Sequence, residues 1–310
     1  MTDGAVLLVG DLADPHMRAV ADLIPSRRRI VLDAATLEPA LARMTPEQIV
    51  VRSVEGRLFA LPDSQARGWI RRLAPAGWDQ GVPLGSHRAA VLASRITLLA
   101  AILREPSVSW LTPVDRLYAA ENKMVQYRAA SAAGFRVPAT MIALDLEELA
   151  GTLGEPFVLK PLGPGNFEAD DRQHVVYVKP QCAADLEGVD LTSAPFLAQS
   201  LIVARRHLRV VTVRDEAWVA ELAAADLPLD WRSHPPAHSA FQAGKRPEVQ
   251  AAAIRLAADL GVGFSAQDWV MDDDGPVFLD LNPGGQWLFL PEEVSGPATR
   301  VLADWLLAAE

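Results

Sequence analysis

The chain has 310 residues, a formal net charge of −10 and 50% hydrophobic residues, a composition that provides a core for two or three compact units. This acidic balance argues against nonspecific nucleic-acid binding, and no apolar run is long enough to span a membrane. The single cysteine, Cys182, excludes an internal disulfide framework and is typical of a reducing compartment, so we expect a cytoplasmic protein.

The first part of the chain alternates strand and helix signals as in an open α/β layer. The predicted elements are strands at residues 6–9, 30–32 and 49–51, a helix at 14–23, and a helix that is capped by Ser86 and runs to Leu103. The opening segment MTDGAVLLVGD has a strand pattern and no cationic leader. We therefore interpret it as the first strand and not as a signal peptide.

A proline-rich hinge precedes a second unit. A helical pattern begins at Asp115 and stops at Gly134, a residue type that commonly ends helices. A compact strand then ends near Lys160. The loop that follows, residues 162–167, contains Gly-Pro-Gly and is suited to cover phosphates, with an ordinary turn as the alternative.

The last third of the chain predicts another β-rich unit. Apolar runs and turn residues predict a buried strand, a hairpin and two helices. These are the strand at residues 195–202, the hairpin of 208–213 with 217–220, the helix 247–260 that ends at Gly261, and a closing helix at 297–307.

Residues 267–287, QDWVMDDDGPVFLDLNPGGQW, predict a small hairpin with three oxygen ligands on one face. A three-residue loop at 273–275 sets Asp268 opposite Asp280, and side-chain alternation adds Asn282 to the same face. Two carboxylates and an amide oxygen suit Mg²⁺ held jointly with phosphate oxygens, whereas a solvated acidic surface is the alternative. The opposite face is predicted to be apolar, with Trp269, Met271, Val277, Leu279 and Leu281. We call this segment the acidic hairpin.

Two further patterns point to a ligand. The Asn-Pro-Gly-Gly sequence after the acidic hairpin ends the strand and allows the backbone to approach a ligand closely. Arginines cluster at Arg27-Arg28-Arg29, Arg71-Arg72 and Arg205-Arg206. Such clusters are usually solvated surface, and contact with an acidic ligand is the alternative.

Several of these segments resemble the ATP-grasp ligases, and within them the maturases of graspetides, microviridin-type peptides whose side chains are joined by ester or amide bonds. The likeness covers roughly residues 106–310. It implies an ATP-grasp fold of α/β (α+β) class, in which an N-terminal open α/β lobe precedes central and C-terminal lobes that sandwich ATP. The corresponding domains are residues 1–112, 113–193 and 194–310. The motifs are Ala120-Glu-Asn-Lys-x-x-Gln126, Val137-Pro-x-Thr140, Phe157-Val-Leu-Lys-Pro161, the strand with Gln199, Leu208-Arg-Val210, Asp230-Trp-Arg232 and the acidic hairpin.

The resemblance implies a nucleotide site in the central lobe. Lys123 and Lys160 match residues that hold nucleotide phosphates. The segment with Gln199, Ser200 and Leu201 matches the part of the family that lines the adenine pocket with backbone groups. The implied nucleotide is ATP, whose dense negative charge cationic side chains must neutralise.

The resemblance also implies the metal and catalytic residues. Asp268, Asp280 and Asn282 match the Mg²⁺ ligands, and two Mg²⁺ ions are expected. Arg209 and Arg232 match positions near the transferred phosphate, where a planar guanidinium suits a phosphoryl or acyl-phosphate group, whereas a salt-bridged strand arginine is the alternative.

Three positions depart from the family pattern. Asp280 stands where glutamate is most common, which shortens the reach to the metal by one methylene. His207, beside Arg205 and Arg206, stands where a lysine and an acidic residue are expected. Pro164 stiffens the phosphate loop.

The implied reaction is ATP-dependent ligation. Asp or Glu side chains of a ribosomal precursor peptide become acyl phosphates, and a hydroxyl or amine then displaces phosphate to give an ester or amide crosslink and ADP. Two alternatives stay open: a ligase that joins a free amino acid or amine to a carboxylate or peptide, and a non-catalytic nucleotide-dependent peptide-binding module. The expected partner is a precursor peptide with an acidic core; a homodimer is left open, and nucleic acid and membrane are not expected.

Overall fold

The computed structural model describes residues 4–63, 65–75, 77–162, 166–169, 172–189 and 196–308. Its N-terminal lobe contains a four-stranded parallel sheet, whose strands occur in the order Arg29–Leu32, Ala5–Val9, Ala66–Ile70 and Val108–Trp110. Two helices accompany the sheet: Pro15–Ala21, which Asp14 caps, and His87–Ile102, which Ser86 caps. The predicted open α/β layer is confirmed.

The strand predicted at residues 49–51 lies outside this parallel layer. Ile49–Arg52 is the middle strand of a separate antiparallel sheet, between Leu41–Met44 and Leu58–Ala60, and the 3₁₀ helix Leu61–Asp63 follows. The connections to both partners are short. Short connections produce antiparallel hairpins, whereas a parallel strand requires a long crossover.

Both faces of the parallel sheet are buried. Leu7 belongs to one face and packs in a cluster with Leu99 of the long helix. Leu8 belongs to the other face and packs in a cluster with Phe264 and Trp287 of the C-terminal lobe. Because a parallel sheet requires cover on both faces, the C-terminal lobe completes the core of the N-terminal lobe.

The central lobe begins with two helices where one was predicted. Val114–Glu121 and Lys123–Ala132 are separated by Asn122, whose backbone is extended, with ψ 113. The Asn122 carboxamide oxygen accepts hydrogen bonds from the backbone N–H of Met124 at 3.0 Å and of Val125 at 3.3 Å. An asparagine in this position satisfies N–H groups at the start of the second helix, which explains the break.

Replacing Asn122 with alanine is expected to lower the free energy of unfolding by about 1 kcal/mol, because the backbone N–H groups at the start of the second helix lose their cap. Urea unfolding followed by circular dichroism measures the change. Asn122→Asp keeps an acceptor oxygen and is the matched control. Equal stability of Asn122→Ala and the wild type would contradict the capping role.

The central sheet has four strands, in the order Pro180–Gln181, Phe157–Pro161, Phe196–Ser200 and Thr140–Met141. Helix Leu146–Leu153 packs on this sheet. Strands Asn166–Ala169 and Arg172–Val175 form a separate antiparallel hairpin, and the 3₁₀ helix Ala183–Leu186 follows strand Pro180–Gln181 in the chain. The strand predicted to open the third lobe pairs with Phe157–Pro161 instead. The boundary at residues 193 and 194 stays a prediction, and this pairing favours a boundary after Ser200. Residues 163–165 of the predicted phosphate loop lie outside the described residues.

The C-terminal lobe contains a five-stranded antiparallel sheet. Its order is Gln242–Gly244, Glu216–Ala223, Arg206–Val213, Phe264–Asp272 and Gly275–Asn282. The 3₁₀ helices Trp231–Ser233 and Pro235–Ser239 lie in the connection before Gln242. Helix Pro247–Leu260 packs with helix Lys123–Ala132 in one cluster, and helix Glu292–Leu307 packs in another. In the described residues no helix is both long and apolar enough to cross a membrane.

The closing helix begins earlier than predicted. It starts at Glu292, and Pro297 lies inside it and not at its first turn. Glu292 and Glu293 occupy the first turn, where acidic side chains interact favourably with the positive end of the helix dipole. The charged first turn therefore marks the start better than the proline does.

Candidate active site

The acidic hairpin has the predicted register at its acidic end. Asp268 pairs with Asp280 across the two strands. The turn is shorter than predicted, because Asp272 pairs with Gly275 and leaves only Asp273 and Asp274 between them. Gly275 has φ 118, a value that favours glycine. The pairing therefore places both carboxylates on neighbouring strands at one level of the sheet.

The apolar face of the hairpin differs from the prediction at Leu279 and at Val277, which pairs with Val270 and so lies on the face opposite Trp269. The pairing shifts between Asp268 and Trp269, so that Trp269 opposes Phe278. Their rings meet edge to face, with centroids 5.3 Å apart, in the core. Leu279 instead lines a cavity. A β-bulge adds one residue to a strand and changes which side chains share a face, and strict alternation cannot anticipate it.

A cavity of about 810 Å³ lies between the central sheet and the C-terminal sheet, a size suited to a nucleotide-sized ligand. Arg209 does not line it but contacts Asp268. All other residues predicted for the site line the cavity: Lys123, Lys160, Gln199, Ser200, Leu201, Arg232, Asp268, Asp280 and Asn282. The fold thus brings together side chains from separate parts of the chain, while their individual roles stay predictions.

Each acidic residue of the hairpin pairs with a cation. Lys123 Nζ lies 2.8 Å from Asp280 Oδ1. Arg209 Nη1 donates to Asp268 Oδ1 at 2.8 Å, and Asn282 Nδ2 donates to Asp280 Oδ2 at 3.3 Å. The alternative of a purely solvated acidic surface therefore does not describe this face, because its carboxylates are tied to cationic side chains from other strands and helices.

The ionisation of Asp280 and Lys160, which both line the cavity, depends on burial and on the charges around them. Burial opposes ionisation of Asp280, but the charge and hydrogen bond of Lys123 and the charge of Lys160 outweigh it and lower the pKa of Asp280. Burial lowers the pKa of Lys160 to about 8, although the charge of Asp280 acts in the other direction. Among the described residues none accepts a hydrogen bond from Lys160 Nζ. This ammonium group is available for an anionic ligand.

Nucleotide affinity is expected to depend on the proton of Lys160. Since its pKa is about 8, the ammonium group persists below that pH and is lost above it. If phosphate binds the protonated form, affinity for Mg·ADP falls by about tenfold per pH unit above the pKa. Calorimetric titration from neutral to alkaline pH measures the slope. Lys160→Arg stays charged and serves as the control; equal slopes in the two proteins would contradict the role of this proton.

Arg232 is oriented by its neighbour Asp230. Its Nε and Nη2 atoms donate to the two oxygens of Asp230 at 2.7 and 2.6 Å. Asp230 also accepts the backbone N–H of Val178 at 3.0 Å, so it links the central and C-terminal lobes. The side chain of Arg232 remains 55% exposed and lines the cavity. It can therefore contact a ligand without breaking the pair.

The segment predicted to line the adenine pocket, residues 199–201, has fewer backbone groups free to bind a base than expected. The N–H of Ser200 already donates to the carbonyl of Ala139 at 2.9 Å. Gln199 Nε2 donates to Thr140 Oγ1 at 2.8 Å, and Gln199 Oε1 is buried without a hydrogen-bond partner in the described part of the chain. The backbone of Leu201 has no described hydrogen bond. Leu201 is thus the residue of this segment best able to bind a base edge through its backbone.

His207 lines the cavity, although sequence analysis noted it only as a departure from the family pattern. Burial lowers the pKa of His207 despite the nearby charges of Asp268 and Asp230, so the ring is neutral at physiological pH. The signal that could have found it is strand alternation, because His207 and Arg209 lie two residues apart on strand Arg206–Val213 and share a face.

The residues present fit Mg²⁺ bound together with phosphate. No cluster of three or more His, Cys, Asp or Glu side chains suited to a metal occurs within the described ranges. Asp268, Asp280 and Asn282 supply oxygen ligands only, which suits a hard cation that shares its coordination with a ligand. Three cationic side chains, Lys123, Lys160 and Arg232, and three carboxylates, Asp230, Asp268 and Asp280, line the cavity, so a triphosphate would need Mg²⁺ to balance its charge.

No protein-family model matches the chain, and no curated protein does. Solved structures match along almost its whole length. The RiPP-associated ATP-grasp ligase of Chryseobacterium gregarium, in complex with ADP and a leader and core peptide, has a TM-score of 0.83 at 18% identity, over 98% of this chain and 96% of that chain. The macrocyclase MdnC of Microcystis aeruginosa MRC, bound with precursor peptide MdnA, has a TM-score of 0.79 at 18% identity, over 98% and 100%.

A third solved structure is similar at a lower TM-score. The ATP-grasp ligase PsnB, complexed with a phosphomimetic variant of a minimal precursor, Mg and ADP, has a TM-score of 0.66 at 22% identity, over 97% of this chain and 98% of that chain. These matches include the N-terminal lobe, whereas the sequence resemblance rested on roughly residues 106–310. As that resemblance predicted, the chain has the ATP-grasp fold.

Proposed function

We propose that this protein is an ADP-forming ATP-grasp ligase that crosslinks a ribosomal precursor peptide through acyl-phosphate intermediates. The observation that carries the proposal is the cavity in which Lys123, Lys160 and Arg232 face the paired carboxylates of Asp268 and Asp280. A binding site for a neutral molecule would not require this density of charge in a partly buried location, because each charge costs free energy to desolvate.

The first step transfers a phosphoryl group. An oxygen of an Asp or Glu side chain in the peptide attacks the γ-phosphorus of ATP, a new O–P bond forms, and the bond to the β-phosphate oxygen breaks to release ADP. Lys123 and Lys160 hold the phosphates. Arg232, held by Asp230, stabilises the charge on the transferred group, and Arg209 contributes to this step from outside the cavity lining by orienting Asp268.

The second step forms the crosslink. A hydroxyl or amine of the same peptide attacks the acyl carbon, the bond from that carbon to the phosphate oxygen breaks, and phosphate leaves with the electron pair. The proton of the nucleophile is lost, and an ester or amide remains. Activation is needed because phosphate is a far better leaving group than hydroxide, and the enzyme contributes mainly by positioning.

Mg²⁺ would be held by Asp268, Asp280 and Asn282, and we propose two ions. When bound, Mg²⁺ neutralises phosphate charge and orients the phosphate oxygens. Asp280 Oδ1 pairs with Lys123, and Asp268 Oδ1 pairs with Arg209, so metal binding shares these carboxylates with the cations. A flip of the Asn282 carboxamide would present its oxygen in place of the nitrogen.

The peptide substrate is proposed from two observations. The solved relatives in complex with precursor peptides share this fold over nearly the whole chain. The cavity also holds Arg232, whose side chain remains 55% exposed beside its partner Asp230, and this accessible cation favours a peptide whose core contains Asp or Glu. The proposed location is the cytoplasm, in keeping with a single free cysteine. A homodimer remains an untested proposal.

The function is tested by incubating the protein with ATP, Mg²⁺ and synthetic acidic peptides, including any short acidic peptide that is found to be encoded beside its gene, followed by mass spectrometry. Loss of one water per bond and formation of ADP are the expected results. Addition of an amine or amino acid to the peptide would instead identify a free-amine ligase. Bound ATP without ADP formation under any condition would leave only a binding module. Lys160→Ala is the matched inactive control, and its ATP affinity should fall.

A further inference from the structure

Arg71 links the N-terminal lobe to the segment that follows the acidic hairpin. In the pair Arg71-Arg72 the two side chains differ sharply, with 1% of Arg71 and 44% of Arg72 exposed. Arg71 Nη1 donates to the carbonyl of Gly284 and, at 3.1 Å, to the carbonyl of Gly285. The expectation that this arginine pair is solvated surface is therefore wrong for Arg71.

His16 holds the same segment from a second direction. Its Nε2 atom lies 3.1 Å from the backbone N of Trp287 and 3.3 Å from that of Leu288. Backbone N–H groups only donate, so Nε2 must accept and the ring proton must be on Nδ1, which lies 3.0 Å from Asp14 Oδ1. Burial, with the charge of Arg71, lowers the pKa of His16 to about 4, which keeps the ring neutral and Nε2 able to accept.

Asp14 orients both residues. One of its oxygens faces His16, and the other accepts from Arg71 Nε at 3.0 Å. Asp14 is also the cap of helix Pro15–Ala21, where it accepts the backbone N–H of His16 at 2.8 Å. Burial opposes its ionisation, but the charge of Arg71 and the hydrogen bonds from His16 lower the pKa of Asp14. The three side chains form one charged and fixed unit.

The held segment contacts Arg209 directly. The carbonyl of Gln286 accepts from Arg209 Nη2 at 3.0 Å. A Cβ at Gly285 would lie 2.5 Å from Ala266 Cβ and 3.0 Å from Arg209 Nη2, so the backbone is tightly confined between these neighbours. By contrast, Asn282 is held by ladder pairing with Ala266. The proposed metal ligands are thus fixed by the sheet, whereas the position of the Arg209 guanidinium depends on residues 284–288.

A purely structural role does not account for this arrangement. Burying a guanidinium costs more free energy than burying an apolar side chain of similar size. Arg71 Nη2 is buried and has no hydrogen-bond partner among the residues that the structure describes. The N-terminal lobe thus retains an incompletely satisfied charge where Arg71 touches the segment behind Arg209.

We propose that Asp14, His16 and Arg71 are positioning residues. From the N-terminal lobe they hold residues 284–288 and, through the carbonyl of Gln286, fix Arg209 beside Asp268 for phosphoryl transfer. The proposal rests on the proposed function, because Arg209 is assigned its role there. It gives the N-terminal lobe a part in the reaction without any contact with the nucleotide.

Arg71→Ala tests the proposal, and Arg72→Ala is the matched control from the adjacent position. The kcat of peptide-dependent ADP formation should fall about tenfold to a hundredfold in Arg71→Ala, the usual effect of losing an orienting partner. The affinity for Mg·ADP should remain that of the wild type, because the nucleotide groups are held elsewhere. Hydrogen exchange of the Trp287 and Leu288 amides should become faster. Arg72 Nε lies 3.7 Å from Asp14 Oδ2 but makes no described contact with residues 284–288, so Arg72→Ala should resemble the wild type in all three measurements.

If the amides of Trp287 and Leu288 exchange in Arg71→Ala at the same rate as in the wild type, the proposal is overturned, whatever the peptide substrate is. Faster exchange with an unchanged kcat would also overturn it, since the segment would then position nothing. If Arg71→Ala does not fold, His16→Leu and His16→Gln replace it; glutamine retains an acceptor and should restore kcat relative to leucine. A wild type that forms no ADP with any peptide refutes the proposed function separately, and amide exchange still decides whether the cluster holds the segment.

Discussion

Replacing Asp280 with alanine is expected to lower Mg²⁺-dependent ADP formation by about a thousandfold or more, because one substitution removes a proposed metal ligand and the partner of Lys123. Asp280 Oδ1 and Lys123 Nζ are 2.8 Å apart, and both side chains are partly buried. Asp280→Ala therefore leaves the ammonium group of Lys123 uncompensated beside the proposed phosphate site. Steady-state kinetics with saturating peptide measure the loss, and circular dichroism verifies the fold.

Two further substitutions of Asp280 test whether its charge and its length, one methylene shorter than glutamate, matter for metal binding. Asp280→Asn retains the shape and removes the charge, so it should be nearly as inactive as alanine if charge holds the metal. Asp280→Glu supplies the residue most common in the family, and it should retain activity within about tenfold if metal binding tolerates one more methylene. Undiminished turnover in Asp280→Ala would refute the metal role. The same measurement on Asp268→Ala tests the opposite strand.

Replacing Arg209 with alanine is expected to lower kcat by about a hundredfold to a thousandfold while ATP affinity changes little. Arg209 lies behind Asp268 and outside the lining of the cavity, so we expect its guanidinium to act through the orientation of Asp268. Single-turnover measurements separate the chemical step from nucleotide binding and product release.

Arg209→Lys is the informative companion variant. Lysine retains the positive charge but not the planar fork that joins Asp268 to the carbonyl of Gln286. If Arg209 supplies charge alone, lysine should restore most of the activity; if its geometry is required, lysine should resemble alanine. An alanine variant with a raised KM for ATP and an unchanged kcat would contradict the assignment, because it would indicate ground-state binding of the nucleotide.

The acidic hairpin shows which features local sequence can predict and which it cannot. Asp268 pairs with Asp280 as predicted only because two differences cancel: the turn is one residue shorter than predicted, and the bulge at Leu279 adds one residue. The cap at Ser86 was predictable from local sequence, because its side chain accepts a backbone N–H only three residues away, that of Ala89. The bulge after Asp268 was not predictable, because it depends on how the hairpin packs against the lobes around it.

The sequence by itself determined the elements, the acidic face and the resemblance that pointed to an ATP-grasp ligase, because dihedral preferences, side-chain alternation and motif spacing act over short stretches of chain. Only the tertiary structure decided which charges meet. Lys123 and Asp280 are separated by 157 residues, and Arg71 and Gly285 by 214. Pairing across such distances in the chain follows from the packing of whole lobes. The amino-acid sequence around Arg71 does not indicate whether its side chain is solvated or buried at a lobe interface.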